Sequence, residues 1–90
     1  MTREEVLNAA SQRVAAKPKE YGEPENVFSL IADLWSDYLS VKNGALELMP
    51  ADVASMMILL KVARNAHGEK GDNWIDIAGY AACGGELIIG

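Results

Sequence analysis

Two residue types that build common sites are scarce in this chain. It contains one cysteine, Cys83, so it can form neither an internal disulfide nor a zinc site built on several thiolates. It contains one histidine, His67, without a serine or cysteine at a spacing typical of nucleophilic catalysis. The pattern predicts a protein of a reducing compartment such as the cytoplasm, in which Cys83 is a small buried or half-buried residue.

Basic residues are also few. Eight lysines and arginines stand against 13 aspartates and glutamates, and the formal net charge is −5. Because binding to duplex nucleic acid needs a clustered basic surface, this composition argues against that function. The longest apolar run, 53–60, is interrupted by Ser55 and followed by Lys61, so we expect no membrane span.

The chain lacks a convincing alternation of polar and apolar residues, and its apolar residues recur at helical spacing, which predicts an all-α protein. Thr2 and Glu5 have the capping-box pattern of a helix start. Pro24 and Pro50 suit the first turns of two further helices, and Asp72 suits the N-cap of a fourth. Helices are predicted over 2–16, 24–43, 50–67 and 72–86.

Residues 17–24 carry two prolines and a glycine, which a regular helix does not tolerate in its interior, so they are predicted to form the main loop. The other connections are short. The sequence therefore predicts a single α-helical domain, 1–90, built as a four-helix antiparallel bundle. The third helix is apolar almost all round and is predicted to be central, with Met56 and Met57 in the core. Trp35 and Trp74 are predicted to be core or interface aromatics.

The fourth helix has two flanks of different character. One flank carries Asp72, Asp76, Tyr80, Cys83 and Glu86, and the other carries Trp74, Ala78, Ala81, Ala82 and Ile88. We expect the second flank to pack and the first to make polar contacts. Gly79, Gly84 and Gly85 each lower helix propensity by about 1 kcal/mol, which favours another helix or a second subunit lying close to them. A chain this short buries a modest core, so a homo-oligomer is expected.

The strongest site signal is a pair of cations in the otherwise apolar third helix. Lys61 and Arg64 lie one turn apart, and a hairpin of the third and fourth helices sets them level with Asp76 and Asp72 respectively. Two interpretations stay open. The pairs are interhelical salt bridges that fix the register. Alternatively, they line a pocket in which the cations hold a phosphate, Tyr80 contacts the ligand and Asp76 positions a metal or a sugar hydroxyl.

Other polar residues give weaker signals. Asp33 and Asp37 lie one turn apart and could share Mg²⁺ with the carboxylates of the fourth helix, but the serines beside them favour a solvated face. Tyr21 stands in the predicted loop beside a helix N-terminus, a position suited to receiving an anion.

Five spaced blocks occur, at 21–26, 31–35, 52–54, 60–64 and 72–80. Together they resemble a family of small phage and prophage proteins without an assigned activity. This resemblance covers nearly the whole chain and implies a protein that works in the cytoplasm of a bacterial host. The last block is also similar to the Asp-Ile-Ala-Asn-Tyr type of segment in MazG-like all-α nucleotide pyrophosphohydrolases and in phage domains associated with nucleotide modification. Gly79 stands where that segment has Asn.

The MazG-like resemblance implies a bundle in which facing helices supply Glu and Asp ligands for Mg²⁺, which binds a triphosphate and activates a water. This chain lacks a Glu-Glu-x-x-Glu run on either middle helix, which weakens the expectation of catalysis more than that of the fold. A nucleotide or nucleotide-like ligand is expected, with Lys61 and Arg64 on phosphate, Asp72 and Asp76 on metal or ribose, and Tyr80 with Tyr21 on base or sugar. The alternatives are a non-enzymatic accessory protein that binds a host protein, and one that sequesters a nucleotide without turnover.

Overall fold

The computed structural model describes residues 1–68 and 71–89, leaving out the side chains of residues 18–21. These residues form four α-helices and no strand: α1 (Arg3–Tyr21), α2 (Pro24–Asn43), α3 (Pro50–Asn65) and α4 (Gly71–Ile89). The predicted all-α class and the four predicted helices are confirmed. None of the described helices is both long and apolar enough to cross a membrane.

The helix starts follow from local hydrogen bonding. Glu5 N–H donates to Thr2 Oγ1 at 3.1 Å, and Thr2 N–H donates to Glu5 Oε1 at 3.2 Å, which is the predicted capping box. The hydrogen bond with Thr2 lowers the pKa of the Glu5 carboxyl. At the start of α3, Met49 N–H donates to Asp52 Oδ2 at 2.8 Å, so a free amide of the first turn is satisfied.

Three predicted helix ends are wrong. Helix α4, predicted to end at Glu86, continues to Ile89, and it begins at Gly71, so Asp72 lies in its first turn rather than at the N-cap. Residues 17–21, predicted to be loop, continue α1 to Tyr21. Pro18 lacks the N–H for one backbone hydrogen bond, but the φ of about −65° that its ring imposes is compatible with a helix. Helix α1 therefore continues until Gly22, whose φ of 90° stops it. In the third case α3 ends at Asn65 rather than His67, because His67 N–H and Gly68 N–H bond to carbonyls three residues back, in tighter turns.

Helices α3 and α4 form an antiparallel hairpin with a constant register. Lys61 bonds to Asp76, and the Asn73 side-chain amide donates to Asn65 Oδ1 at 2.9 Å. Further along, a Cβ built on Gly84 would lie 3.1 Å from the Cβ of Ala54. The close approach predicted for Gly84 is confirmed, and for Gly79 the neighbour is Val14 of α1. Gly85, in contrast, has no such neighbour within 4 Å.

Helix α1 lies along α4 in the same chain direction. Arg13 contacts Asp76, and Lys17, one turn later in α1, lies over the ring of Tyr80, one turn later in α4. The antiparallel arrangement predicted for the whole bundle therefore does not extend to α1 and α4. Only Gly22 and Glu23 separate α1 from α2. Helix α1 contacts the first half of α4, whereas α2 contacts α3 and the second half of α4.

The core lies where α2, α3 and α4 meet. It is centred on Phe28, Ala32, Val53 and Ala54, with partly buried residues of α4 around them. Met57 and Trp35 pack against this cluster, as predicted. A hydrogen bond holds the α2–α3 connection against α2: Leu48 N–H donates to Ser36 Oγ at 2.7 Å.

The predicted packing flank of α4 is wrong. Trp74 is about half exposed, Ile88 is largely exposed, and Ala81 and Ala82 are exposed as well. The buried positions are Asn73, Ile75 and Gly79, which belong to neither predicted flank, because α4 is held between α3 and α1. Of the predicted polar flank, Asp76, Tyr80 and Cys83 are half-buried, whereas Asp72 and Glu86 are exposed.

The prediction for α3 also needs correction. Helix α3 contacts both α2 and α4, as expected of a central helix, but Met56 and Leu59 stay exposed although the helix is apolar all round.

Candidate functional site

A network of charges joins three helices around Asp76. Lys61 Nζ of α3 lies 2.9 Å from Asp76 Oδ2, and Arg13 Nη1 of α1 donates to Asp76 Oδ1 at 3.0 Å. The other guanidinium nitrogen, Arg13 Nη2, donates to Asp72 Oδ1, also at 3.0 Å. Asp76 therefore accepts bonds from two cations, and Arg13 bridges two carboxylates that lie one turn apart on α4.

The network favours the charged forms of Asp76 and Arg13. Burial raises the pKa of Asp76, but the hydrogen bonds and charges of Lys61 and Arg13 outweigh it, so this pKa lies below its usual value. The hydrogen bond to Asp72 is the main reason that the pKa of Arg13 is raised. Asp76 and Lys61 are shielded from solvent, whereas Asp72 is exposed.

An apolar cleft of about 370 Å³ opens on one side of this network. We call it the inner cleft. Its walls come from all four helices and are formed by Arg13, Val14, Lys17, Gly22, Pro24, Val27, Phe28, Ile31, Met57, Ile75, Asp76, Gly79, Tyr80 and Cys83. Because α1 ends and α2 begins beside α4, the turn at Gly22 leaves this space between them. The arrangement combines an apolar interior with charged groups, as is usual for small-molecule sites.

Aromatic rings and a cation distinguish the inner cleft from ordinary core. The Phe28 and Tyr80 rings are tilted by 35°, with centroids 6.3 Å apart. Lys17 Nζ lies 5.5 Å from the centroid of the Tyr80 ring, within range of a cation–π interaction. Cys83 also lines the cleft, and burial, followed by the charge of Glu86, raises the pKa of its thiol.

A second, more polar cleft of about 560 Å³ lies on the other side of the network. We call it the outer cleft. It is lined by Lys61, Arg64, His67, Gly68, Asp72, Asn73 and Asp76. Asp76 is thus the wall that the two clefts share, and the bonds from Arg13 and Lys61 keep that wall in place.

The structure brings together part of the predicted site. The predicted salt bridge between Lys61 and Asp76 is present. Arg64 and Asp72 line the outer cleft together, but the ion pair that Asp72 makes is with Arg13. Tyr80 lies in the inner cleft, apart from Arg64.

Three further residues were predicted to belong to the site, and none of them is seen, in the described part of the chain, to line either cleft. The Tyr21 side chain lies outside the described residues, and its backbone ends α1. Asp33 and Asp37 are exposed on α2, in keeping with a solvated face.

Sequence reasoning missed Arg13, and it placed Lys17 in the predicted loop, where it could receive an anion, rather than on α1 beside Tyr80. Arg13 and Lys17 are one helical turn apart on α1, and nothing in the first helix alone indicates what they face. Their role depends on α1 lying parallel to α4, which the predicted antiparallel bundle does not provide. Both share a side of the first helix with Val6 and Ala10, and cations on an apolar face were the one available signal.

The carboxylates do not make a good magnesium site. Asp72 and Asp76 are both bonded to Arg13, and Asp76 also to Lys61, so a divalent cation would be placed beside two positive charges. Within residues 1–68 and 71–89, no group of three or more His, Cys, Asp or Glu side chains is arranged to hold a metal. Magnesium binding by Asp72 and Asp76 remains a prediction.

Known proteins place the chain among phage sequences. It is 39% identical over 82 residues to the Gene 55 protein of Mycobacterium phage D29, covering 89% of this chain and 51% of that protein. It is 42% identical over 81 residues to the Gene 55 protein of Mycobacterium phage L5, covering 89% of this chain and 46% of that protein. The chain thus spans about half the length of these relatives.

The predicted resemblance to small phage proteins is confirmed by these matches. No solved structure matches the chain, so the MazG-like architecture stays a prediction. Residues 5–88 match the family described as "Domain of unknown function (DUF6378)", and because this match spans nearly the whole sequence, the protein belongs to that family.

Proposed function

We propose that the protein binds a nucleotide or a nucleotide-like anion in the inner cleft without turning it over. The observation that carries the proposal is the cleft itself, an apolar space of about 370 Å³ with Tyr80 in its wall and Lys17 over the Tyr80 ring. Sites for small organic ligands fall in the range of about 300–1,000 Å³ and combine apolar walls with a few polar groups. This cleft has the size and lining for one mononucleotide.

The base is proposed to lie against Tyr80. The neighbouring Phe28 ring and the apolar side chains of Ile31 and Met57 provide walls that a flat, uncharged ring fills better than water does. Stacking of a base on an aromatic side chain contributes about 1–3 kcal/mol and tolerates different bases. The cleft therefore favours a base-bearing ligand but does not select one base.

The phosphate is proposed to lie beside the two cations of α1. Lys17 and Arg13 are one turn apart and both line the cleft, so a phosphate beside them gains charge-assisted hydrogen bonds. Arg13 already serves two carboxylates, which leaves Lys17 as the more available partner. A ligand with a longer phosphate chain reaches Lys61 and Arg64 in the outer cleft only if the bonds to Asp76 open.

Hydrolysis of a nucleoside triphosphate is a more specific proposal, and it follows from the MazG-like resemblance. Pyrophosphate release from a nucleoside triphosphate requires Mg²⁺ and carboxylates free to hold it. The carboxylates available here, Asp72 and Asp76, are engaged by Arg13. Their engagement is why we favour binding over hydrolysis.

Isothermal titration calorimetry with nucleoside mono- and triphosphates tests the proposal. Tyr80→Leu is expected to weaken binding by about fivefold to 150-fold, through lost stacking. Lys17→Gln is expected to weaken it by about tenfold. The chain offers matched controls, since Lys42 lies 5.8 Å from the centroid of the Tyr38 ring on α2, outside the cleft. Tyr38→Leu and Lys42→Gln should bind like the wild type, and an equal loss in both pairs would contradict the proposal.

Pyrophosphate release measured with Mg²⁺ separates binding from turnover. The proposal predicts binding of triphosphates without release. Sustained release that disappears in Asp76→Asn, with helicity retained, would establish the hydrolase reading instead.

A second candidate function is that of an accessory protein that binds another protein. The observation that favours it is the number of large apolar side chains left exposed, among them Leu59 on α3, Trp74 on α4 and Ile89 at the end of α4. It predicts no nucleotide binding in the calorimeter.

A further inference from the structure

Four large side chains on α2 stay exposed along one face. Leu30, Leu34, Tyr38 and Val41 are between 57 and 88% exposed, and each follows the last by three or four residues. This spacing places them on one side of the helix. We call this surface the α2 stripe. A contiguous apolar surface on a small protein typically marks an interaction site.

The accessible surface of the whole chain is larger than that of a compact monomer of its size, which leaves enough surface for an interface. The accessible surface of the chain is 6406 Å², whereas a compact monomer of 9.7 kDa has about 5,100 Å². The excess of about 1,300 Å² is larger than the roughly 800 Å² that one partner buries in a standard interface. The radius of gyration, 14.2 Å, is also above the value of about 12 Å for 90 residues.

We infer that the α2 stripe is a homodimer interface, with the stripe of one chain packed against the same stripe of a second copy. A two-fold interface requires a surface that complements itself. In an antiparallel pairing of two α2 helices, Leu30 meets the partner's Val41, and Leu34 meets the partner's Tyr38. The midpoints of the two pairs differ by about half a residue along the helix, so one pairing covers the whole stripe.

Charge beside the stripe argues against other classes of occupant. Asp33 and Asp37 are exposed next to it on α2. Two carboxylates disfavour an anionic lipid surface or a nucleic acid. In a dimer they flank the apolar contact on both copies, so raised salt concentration should strengthen the association. None of the four stripe residues lines the inner cleft, so this inference does not depend on nucleotide binding.

Sedimentation velocity over a wide range of protein concentration tests the inference. The wild type is expected to sediment as a dimer of the 9.7 kDa chain and to dissociate on dilution. Leu34→Lys should weaken dimerisation by at least a hundredfold. Leu7→Lys, at an equally exposed leucine on α1, should leave it unchanged.

Two results would overturn the inference. One is a wild type that stays monomeric at every concentration, which would assign the stripe to a different protein. The other is a Leu34→Lys variant that dimerises like the wild type. If circular dichroism shows that Leu34→Lys has lost helicity, Val41→Lys, at the most exposed position of the stripe, decides between the same two outcomes.

Discussion

Lys61 Nζ lies 2.9 Å from Asp76 Oδ2, and the two side chains are only 12 and 17% exposed. An ion pair shielded in this way is costly to break from one side, because the remaining charge keeps its desolvation penalty and loses its partner. The pair fixes the register of the α3–α4 hairpin and forms the wall between the two clefts. Its removal should therefore affect stability as well as any ligand.

Asp76→Asn is expected to lower the free energy of unfolding by about 2–3 kcal/mol, somewhat below the cost of breaking a fully buried pair. Asp72→Asn is the matched control, since Asp72 accepts an equally short bond from Arg13 but is 75% exposed. It should cost at most about 1 kcal/mol. Urea unfolding followed by circular dichroism measures both, and equal losses would contradict the different roles given to the two carboxylates.

Acid should remove the contribution of Asp76. Its pKa is lower in the folded protein than in the unfolded chain, so the stabilisation is complete above the unfolded value of about 3.9 and is lost as the pH falls through the folded value. The difference in unfolding free energy between the wild type and Asp76→Asn should therefore shrink as the pH is lowered from roughly 6 to about 2. Urea titrations at several pH values measure this difference, and a constant gap would show that the ionised form of Asp76 is not what stabilises the fold.

Replacing Gly84 or Gly85 of α4 by alanine should change the stability of the protein in opposite directions. Gly85→Ala meets nothing within 4 Å and should stabilise the protein by about 1 kcal/mol through helix propensity. In Gly84→Ala the new Cβ would crowd Ala54, so α3 and α4 must separate slightly, and overpacking should outweigh the gain. Thermal unfolding should show a raised melting temperature for the first and a lowered one for the second. Equal increases would mean that α3 and α4 are not in close contact.

Two serines of α2 make a similar comparison. Ser36→Ala removes the acceptor of Leu48 N–H, a partly buried bond of 2.7 Å, and should cost about 1–2 kcal/mol because that amide is left unsatisfied. Ser29 bonds only to the carbonyl of Glu25 within its own helix, at an exposed position, so Ser29→Ala should be neutral or slightly stabilising. Chemical denaturation of the two variants checks this, and a loss in Ser29→Ala as large as in Ser36→Ala would refute the assignment.

The parts of the fold that could be predicted depend on residues close together in the sequence. Capping and proline positions gave the starts of α1, α2 and α3, because these depend on neighbours in sequence. The pairing of Lys61 with Asp76 was also predictable, since a short hairpin connection sets the level of one helix against the next. The end of α1 was not, because one proline interrupts a helix less completely than a glycine at positive φ.

Only part of the candidate site could be predicted, because its other part depends on how distant helices pack together. Which flank of α4 faces inward depends on what packs against it, and amphipathic patterning favoured the flank of Trp74, which is in fact about half exposed. Arg13 entered the site because α1 runs parallel to α4, a relationship between residues about 60 positions apart that no local pattern encodes. The inner cleft exists only as a result of that relationship.

The inner cleft can be tested most directly through its own cysteine. Cys83 lines it and is the one thiol of the chain, and burial raises its pKa, so alkylation by iodoacetamide should be slow near neutral pH and measurable at about pH 8–9. The account predicts that a nucleotide slows this alkylation in a saturable way in the wild type and much less in Tyr80→Leu, with glutathione as the control for the reagent. An alkylation rate that stays unchanged at nucleotide concentrations that saturate calorimetric binding would show that the ligand does not enter the inner cleft.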